Sequence, residues 1–283
     1  MRLRYRIVFE NAVCLLVLAV LAVLGCGFFV LFDRIPLETG GILFEPPWEQ
    51  ARPADCPPLN AAAELQARQF YPWYTFLSDT ARNRDSALWN SLEGCGLPFM
   101  ALWRTRCYSP FSLPFYFALS FGVAIAFSVF LKMVVAGICA FYAARKFGFA
   151  PPMALAVAVA FEFSGPVFLW MGWPMSDVVP WLPLWLVYVE RLVLGQAHYW
   201  SFGALIFTLM ALGGDPESLV CTLLFSVLYV FLRVAFARRR PTTAAASTLA
   251  FVASMAVGVG LAAIQLVPYW EFLSQAASTG ASK

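Results

Sequence analysis

Residues 15–32 read LLVLAVLAVLGCGFFVLF, and residues 219–236 read LVCTLLFSVLYVFLRVAF. Both runs are apolar on every face, so neither the two-residue alternation of a half-buried strand nor the single stripe of a surface helix describes them. Crossing about 30 Å of hydrocarbon takes roughly 20 such residues, and a backbone in lipid must bond internally, so these runs are membrane-spanning helices. A transmembrane barrel would instead show short segments of strict alternation. Composition agrees: of 283 residues, 61% are hydrophobic and 12% charged. That is too little charge to cover a soluble surface of this size, so lipid covers much of it.

Working outward, apolar stretches recur at 119–144, 152–173, 178–194, 200–212 and 244–267. With a first helix over 7–32, the chain reads as an all-α polytopic bundle of about seven spans, six of them between 119 and 267. Arg2, Arg4 and Arg6 precede the first span, which is read as an uncleaved helix because the apolar run continues past Cys26. Arg145 and Lys146, then Arg191, then Arg233 and Arg238 to Arg240 fall on one side of a consistent alternation. The positive-inside rule makes that side, and the N-terminus, cytoplasmic. A large first loop, 33–114, and a tail, 268–283, then lie outside. In the loop, Pro72 suits a first helical turn, after which Trp73, Phe76, Leu77 and Thr80 share a face opposite Asp79 and Arg82. This predicts an amphipathic helix on the membrane surface or on the bundle.

The outer face gathers Asp33, Glu64, Asp79, Asp85, Glu93, Asp177, Asp215, Glu217 and Glu271 beside Arg68, Arg82, Arg84, Arg104 and Arg106. Carboxylates so placed act as general bases or bind a divalent cation, magnesium or manganese, and no other cofactor is indicated. Guanidinium forks suit phosphate, and the rings of Trp89 and Tyr108 suit a sugar or the headgroup level. The bland reading of the same residues is acids in water, an aromatic belt and snorkelling arginines. Two charges stand inside spans, Lys132 and Glu162, at similar depth on adjacent helices, which predicts that they pair. Ser164-Gly165-Pro166 should break the third span beyond Glu162, and Pro180 and Pro183 should open the fourth. The seven cysteines form no CxxC, the single histidine supports neither a triad nor a histidine metal centre, and no nucleotide-binding glycine motif occurs. The net charge of +3 sits near the membrane surfaces and points to no nucleic-acid partner.

The order Gln69-Phe70-Tyr71-Pro72-Trp73, Leu88-Trp89-Asn90, Gly96, Pro98-Phe99 and Tyr108-Ser109-Pro110 resembles the bacterial YfhO-like membrane proteins. Ala136-Gly137, Phe163-Ser164-Gly165, Trp181-Leu182-Pro183-Leu184, Gly214-Asp215-Pro216-Glu217 and Gln265-Leu266-Val267-Pro268 continue the resemblance. It implies a GT-C-like integral membrane glycosyltransferase of the bacterial inner membrane, using a polyprenyl-phosphate-linked sugar and a cell-envelope glycan or protein acceptor. The resemblance implies a catalytic acid in the first outer loop, Asp33 or Glu64. Arg104, Arg106, Tyr108, Trp89, Asn90, Asp177, Asp215 and Glu217 form the expected substrate-binding set. Similar proteins run on through further helices, so a longer frame or a second chain is expected to complete this one. A non-catalytic transporter or assembly subunit for cell-surface polymers is the competing expectation, resting on Lys132 and Glu162.

Overall fold

The computed structural model describes residues 2–32, 34–55, 64–237 and 244–280, which are all-helical apart from turns and one isolated bridge between Asn90 and Leu97. Helix α1 is Arg2–Leu31. The outer loop contributes α2, Tyr71–Arg82, and the short α3, Leu113–Tyr116. Then come α4, Phe121–Lys146; α5, Pro151–Glu162; α6, Met175–Val178; α7, Leu182–Val193; and α8, Trp200–Ala211. The chain closes with α9, Pro216–Ala237; α10, Ala244–Leu261; and α11, Ala263–Gly280.

About seven spans were expected. Among the described residues three helices are long and apolar enough to cross a membrane: Val8–Gly27 within α1, all of α4, and Pro216–Arg233 within α9. The pair α10 and α11, bent by 80°, qualifies as a fourth when taken together. The other expected spans are present as shorter helices, for reasons written in their prolines. Helix α5 stops at Glu162, Ser164 is extended (ψ 156°), and a π-helical turn over Gly165–Leu169 follows. Pro166 has no N–H to continue the ladder, so the break falls where Ser164-Gly165-Pro166 predicted it. Pro180 sits in a 3-10 turn, Val179–Trp181, and Pro183 in the first turn of α7, dividing the fourth segment in the same way. Helix α8 has 12 residues, about 18 Å at 1.5 Å per residue. The tail, 268–283, is helical as far as Gly280 and belongs to α11, which turns back over the outer loop. There Gln265 Nε2 donates to Met100 O at 3.1 Å and the Tyr269 ring meets Trp103 at 5.0 Å.

Helix α4 is the post of the bundle. Small residues let α1 and α5 approach it closely: Cys14, Leu18, Ala140, Ala144, Ala154 and Ala158 form one buried cluster. In lipid such close backbone approach, not water exclusion, drives helix association. On the other side the Tyr188 ring of α7 lies over Gly203 of α8, while Tyr188 and Trp185 donate to Ser254 Oγ and Ser226 Oγ, each at 2.6 Å. Helix α9 turns Val220, Leu224, Val227 and Phe231 outward, as a lipid-facing helix does.

The expected amphipathic helix is α2. It buries Trp73, Tyr74, Leu77 and Thr80, half-buries Phe76, and exposes Asp79 and Arg82. Its apolar face packs on Phe99, Tyr116 and the start of α4 at Ala124 and Ile125, so it lies on the bundle. Burying a side chain the size of Leu77 or Trp73 is worth about 1.5–3 kcal/mol, enough to fix the loop above the helices.

Candidate functional site

Beneath the outer loop three charges are buried together. Asp177, in α6, is fully buried, and Arg106 and Lys132 are each 2% exposed. Arg106 caps the 3-10 turn Trp103–Thr105 in the left-handed conformation (φ 60°), which sends its side chain inward. Its Nε donates to Asp177 Oδ2 at 2.8 Å and its Nη2 to Ser112 Oγ at 2.5 Å, while Ser109 Oγ also donates to Oδ2. Lys132 Nζ forms an ion pair with Asp177 Oδ1 at 2.7 Å and donates to Met171 O and Ser176 Oγ at 3.0 and 2.9 Å. The Arg106 guanidinium also lies 4.7 Å from the centre of the Tyr74 ring, and that ring stacks on Phe70. Burial is the largest single influence on Arg106 and opposes its charge, but the Asp177 carboxylate together with the Tyr74 and Tyr116 phenols outweighs it and holds the guanidinium's proton more tightly than usual. Burial likewise pushes the Tyr74 phenol up to about 12, so it stays a donor, bonding Gly172 O at 3.2 Å.

Glycines admit this packing. A Cβ at Gly213 would fall 2.8 Å from Val178 Cγ2 and 3.1 Å from the Asp177 carbonyl carbon. One at Gly214, where φ is +89°, would fall 2.7 Å from Arg106 Cγ. The Gly213-Gly214 turn therefore rests directly on the ion cluster, and Asp215 and Glu217 project from it.

Those two acids line a cleft of about 280 Å³ with Arg104, Phe70, Trp170 and Trp173. Arg104 pairs with Glu217, and Asp215 Oδ2 accepts from the Ser218 N–H at 3.1 Å, capping α9. Trp103 Nε1 donates to Ala211 O at 2.6 Å, clamping the loop to the end of α8. Trp170 and Trp173 also wall a second cleft of about 540 Å³, whose apolar sides include Phe29, Ile35, Leu37, Phe168 and Leu169. The two clefts thus share a pair of indoles; both are walled mostly by hydrocarbon, with Arg104, Asp215 and Glu217 in the first and Glu38 and Gln66 in the second.

The family model described as bacterial membrane protein YfhO matches residues 66–282. The chain belongs to the YfhO family of bacterial membrane proteins. No curated protein and no solved structure matches it. Both tryptophans, the three buried charges and the Gly213-Gly214 turn of this YfhO-family chain lie inside the matched region, whereas Asp33 and Glu64 precede it.

The structure divides the residues expected from the sequence. Arg104, Asp215 and Glu217 converge on the first cleft. Arg106 and Asp177 form the buried cluster below it, where neither reaches a ligand directly. Trp89 is exposed and covers Gly96, and Asn90 is buried, pairing with Leu97 and accepting from the Leu92 N–H at 3.0 Å; neither lines a described cleft. Tyr108 is half-buried. Glu64 pairs with Arg68 at 3.2 Å, and Arg68 also pairs with Glu45. Asp33 lies outside the described residues. Among the described residues no group of three or more His, Cys, Asp and Glu side chains is placed to hold a metal ion. Asp215 is committed to a helix cap, and Glu217 is the one other carboxylate lining this cleft among the described residues, too few protein ligands to fit the divalent cation expected there.

The expected Lys132–Glu162 pair is not formed. Lys132 is bound to Asp177, and Glu162 instead abuts Gly137 of α4. Lys132 and Gly137 lie about 1.4 turns apart on one helix, hence about 140° apart around its axis. Similar depth did not mean a shared face. The sequence reading also missed Trp170 and Trp173, whose signal is the Trp-Met-Gly-Trp-Pro run after the broken third segment. It missed the hydroxyls of Ser109 and Ser176, which the fold brings to Asp177 and to Lys132 respectively.

Proposed function

We propose that this chain is a GT-C-like membrane glycosyltransferase. It takes a sugar from a polyprenyl-phosphate donor at the outer face of the bacterial inner membrane and passes it to a cell-envelope glycan or protein. Its N-terminus is cytoplasmic, and the shorter helices α5 to α8 complete a bundle of about seven crossings. The observation that carries the reading is a pair of largely apolar clefts that share the indoles of Trp170 and Trp173, with Arg104 at the wall of the first. A polyprenyl phosphate is an anionic head on a hydrocarbon tail; the Arg104 guanidinium suits the head and the apolar walls suit the tail.

In this mechanism a loop carboxylate, Asp33 or Glu64, takes the proton of the acceptor hydroxyl. The oxygen attacks the anomeric carbon, the bond from that carbon to the donor phosphate breaks, and the phosphate leaves with the electron pair. Arg104 exchanges its pairing with Glu217 for the phosphate and stabilises the charge that develops. Arg106 acts at one remove, holding the turn that carries Asp215 and Glu217. Consumption of a lipid-linked sugar by purified wild type, Arg104→Ala, Asp33→Asn and Glu64→Gln tests the reading. Loss in Arg104→Ala and in one acid variant is expected, and full turnover in all three would remove the mechanism.

A second reading, a transporter or assembly subunit for cell-surface polymers, draws on the buried Lys132–Asp177–Arg106 cluster and on Glu162. It predicts the opposite order of severity: variants of these charges that still fold would lose function, while Arg104→Ala and both acid variants would keep it.

A further inference from the structure

One ionisable group serves neither the cleft nor the cluster beneath it. Glu162 ends α5, is fully buried, and neither of its carboxyl oxygens has a hydrogen-bond partner among the described residues. Its surroundings are the packed faces of three helices. A Cβ on Gly137 of α4 would stand 2.7 Å from Glu162 Oε2 and 3.5 Å from Leu18 Cδ2 of α1. Above and below lie the apolar clusters containing Ala22, Cys26, Met133 and Ala136, and Leu18, Ala140, Ala154 and Ala158. Glu10 of α1 and Tyr142, Arg145 and Lys146 of α4 stand toward the far ends of those helices, so the titratable groups nearest Glu162 are the thiols of Cys14, Cys26 and Cys139, together with Lys132. The Lys132 ammonium is committed to Asp177, Ser176 and Met171. Among the described residues no cation pairs with the Glu162 carboxyl.

The backbone at this point is also open. Residue 166 is proline, so the Glu162 carbonyl lacks the N–H that a continuing helix would give it, and the buried hydroxyl of Ser164 has no partner among the described residues. Broken helices inside membranes place polar backbone and side-chain atoms where small cations are bound. An ionised carboxylate left unpaired in such a place costs several kcal/mol, which binding one proton removes.

We infer that Glu162 is an intramembrane proton-binding site at the break of α5, occupied by a proton in the conformation described. The inference does not depend on the glycosyltransferase reading. It gives the chain a reactive group, because a neutral carboxylic acid in an apolar setting adds to a hydrophobic carbodiimide. In that addition the acid proton passes to one nitrogen as the carboxyl oxygen bonds the central carbon. Migration of the acyl group to nitrogen then leaves an acylurea carrying the whole reagent.

The test uses the full chain in lipid nanodiscs at neutral pH. Infrared spectra of wild type and of Glu162→Gln, which keeps shape and volume, are compared for the carbonyl stretch of a protonated carboxyl. Peptide mapping after dicyclohexylcarbodiimide treatment locates the adduct. The expected result is a protonated-carboxyl band that Glu162→Gln lacks and an acylurea on Glu162 that sodium ions do not suppress. Identical spectra for the two proteins would overturn the assignment whether or not the reagent reaches the site. Protection by sodium would overturn it in favour of a metal-cation site.

Discussion

Replacing Asp177 by asparagine keeps the size of the side chain and removes the one negative charge in the buried cluster. Arg106 Nε and Lys132 Nζ would then face a neutral amide where each now stands 2.8 and 2.7 Å from a carboxylate oxygen. Breaking a buried ion pair by removing one partner costs about 3–5 kcal/mol, because the other charge is left buried and uncompensated. Two cations lose the same partner here, so the cost belongs at the upper part of that range, a factor of roughly a thousand in a folding equilibrium. In a chain of this size the loss appears as a fall in melting temperature on the order of 10 °C. Thermal unfolding of detergent-purified protein, followed by tryptophan fluorescence and by retention as a monodisperse species, measures it. Adding Lys132→Met to Asp177→Asn removes one of the stranded charges and should recover part of the loss, a coupling that independent sites would not show. Ser109→Ala, which deletes one hydroxyl donor to the same carboxylate, should cost only about 1 kcal/mol. A melting temperature for Asp177→Asn within a degree or two of wild type would refute the view that this cluster fastens the outer loop to the bundle.

Gly214→Ala should destabilise by about 1–3 kcal/mol, since its Cβ would meet Arg106 Cγ at 2.7 Å in a left-handed backbone; the same melting assay reads it. Cys95 is exposed, whereas Cys107 is buried and its thiol is pushed up to about 11 by burial, so at neutral pH a membrane-impermeant maleimide added to intact cells should label Cys95 and spare Cys107. Labelling of Cys95 only after the membrane is permeabilised would invert the sidedness. Arg104→Ala breaks an exposed pair with Glu217 and should change stability by less than about 1 kcal/mol, so a large loss of turnover at unchanged melting temperature marks a role in the cleft.

Much of this fold was legible because its signals are local. Apolar runs on every face mark α1, α4 and α9, Pro72 with its following pattern marks α2, and Ser164-Gly165-Pro166 marks the break in the third segment. Each follows from the chemistry of a few consecutive residues, which the chain cannot escape. The count of crossings was less legible, since a hydrophobic stretch fixes what may enter lipid but not whether one helix runs through it. Pro180 and Pro183 divide the fourth stretch, and the last turns by 80° after Leu261. The partner of Lys132 was not legible at all. Depth along a helix can be counted from its ends, but which neighbour a side chain faces depends on helix rotation and on α6, an element of four residues that no periodicity announces.

Arg104 and Arg106 show why the candidate site needed the fold. They are two residues apart, with the same side chain, and equal claims on a phosphate by chemistry alone. The residue between them ends a 3-10 turn, and Arg106 then adopts φ 60°. That conformation costs a non-glycine residue about 1–3 kcal/mol and survives because a carboxylate, a serine hydroxyl and a tyrosine ring receive the side chain. The reversal sends Arg106 down into the cluster, while Arg104 meets an exposed glutamate beside the open cleft. A guanidinium fixed by a fully buried aspartate cannot move to a substrate without giving up its buried bonds to Asp177 and Ser112, whereas one held by an exposed pair can exchange partners at little cost. The immobile arginine therefore supports the turn that carries Asp215 and Glu217, and on the glycosyltransferase reading proposed above Arg104 is the one that exchanges partners within the cleft.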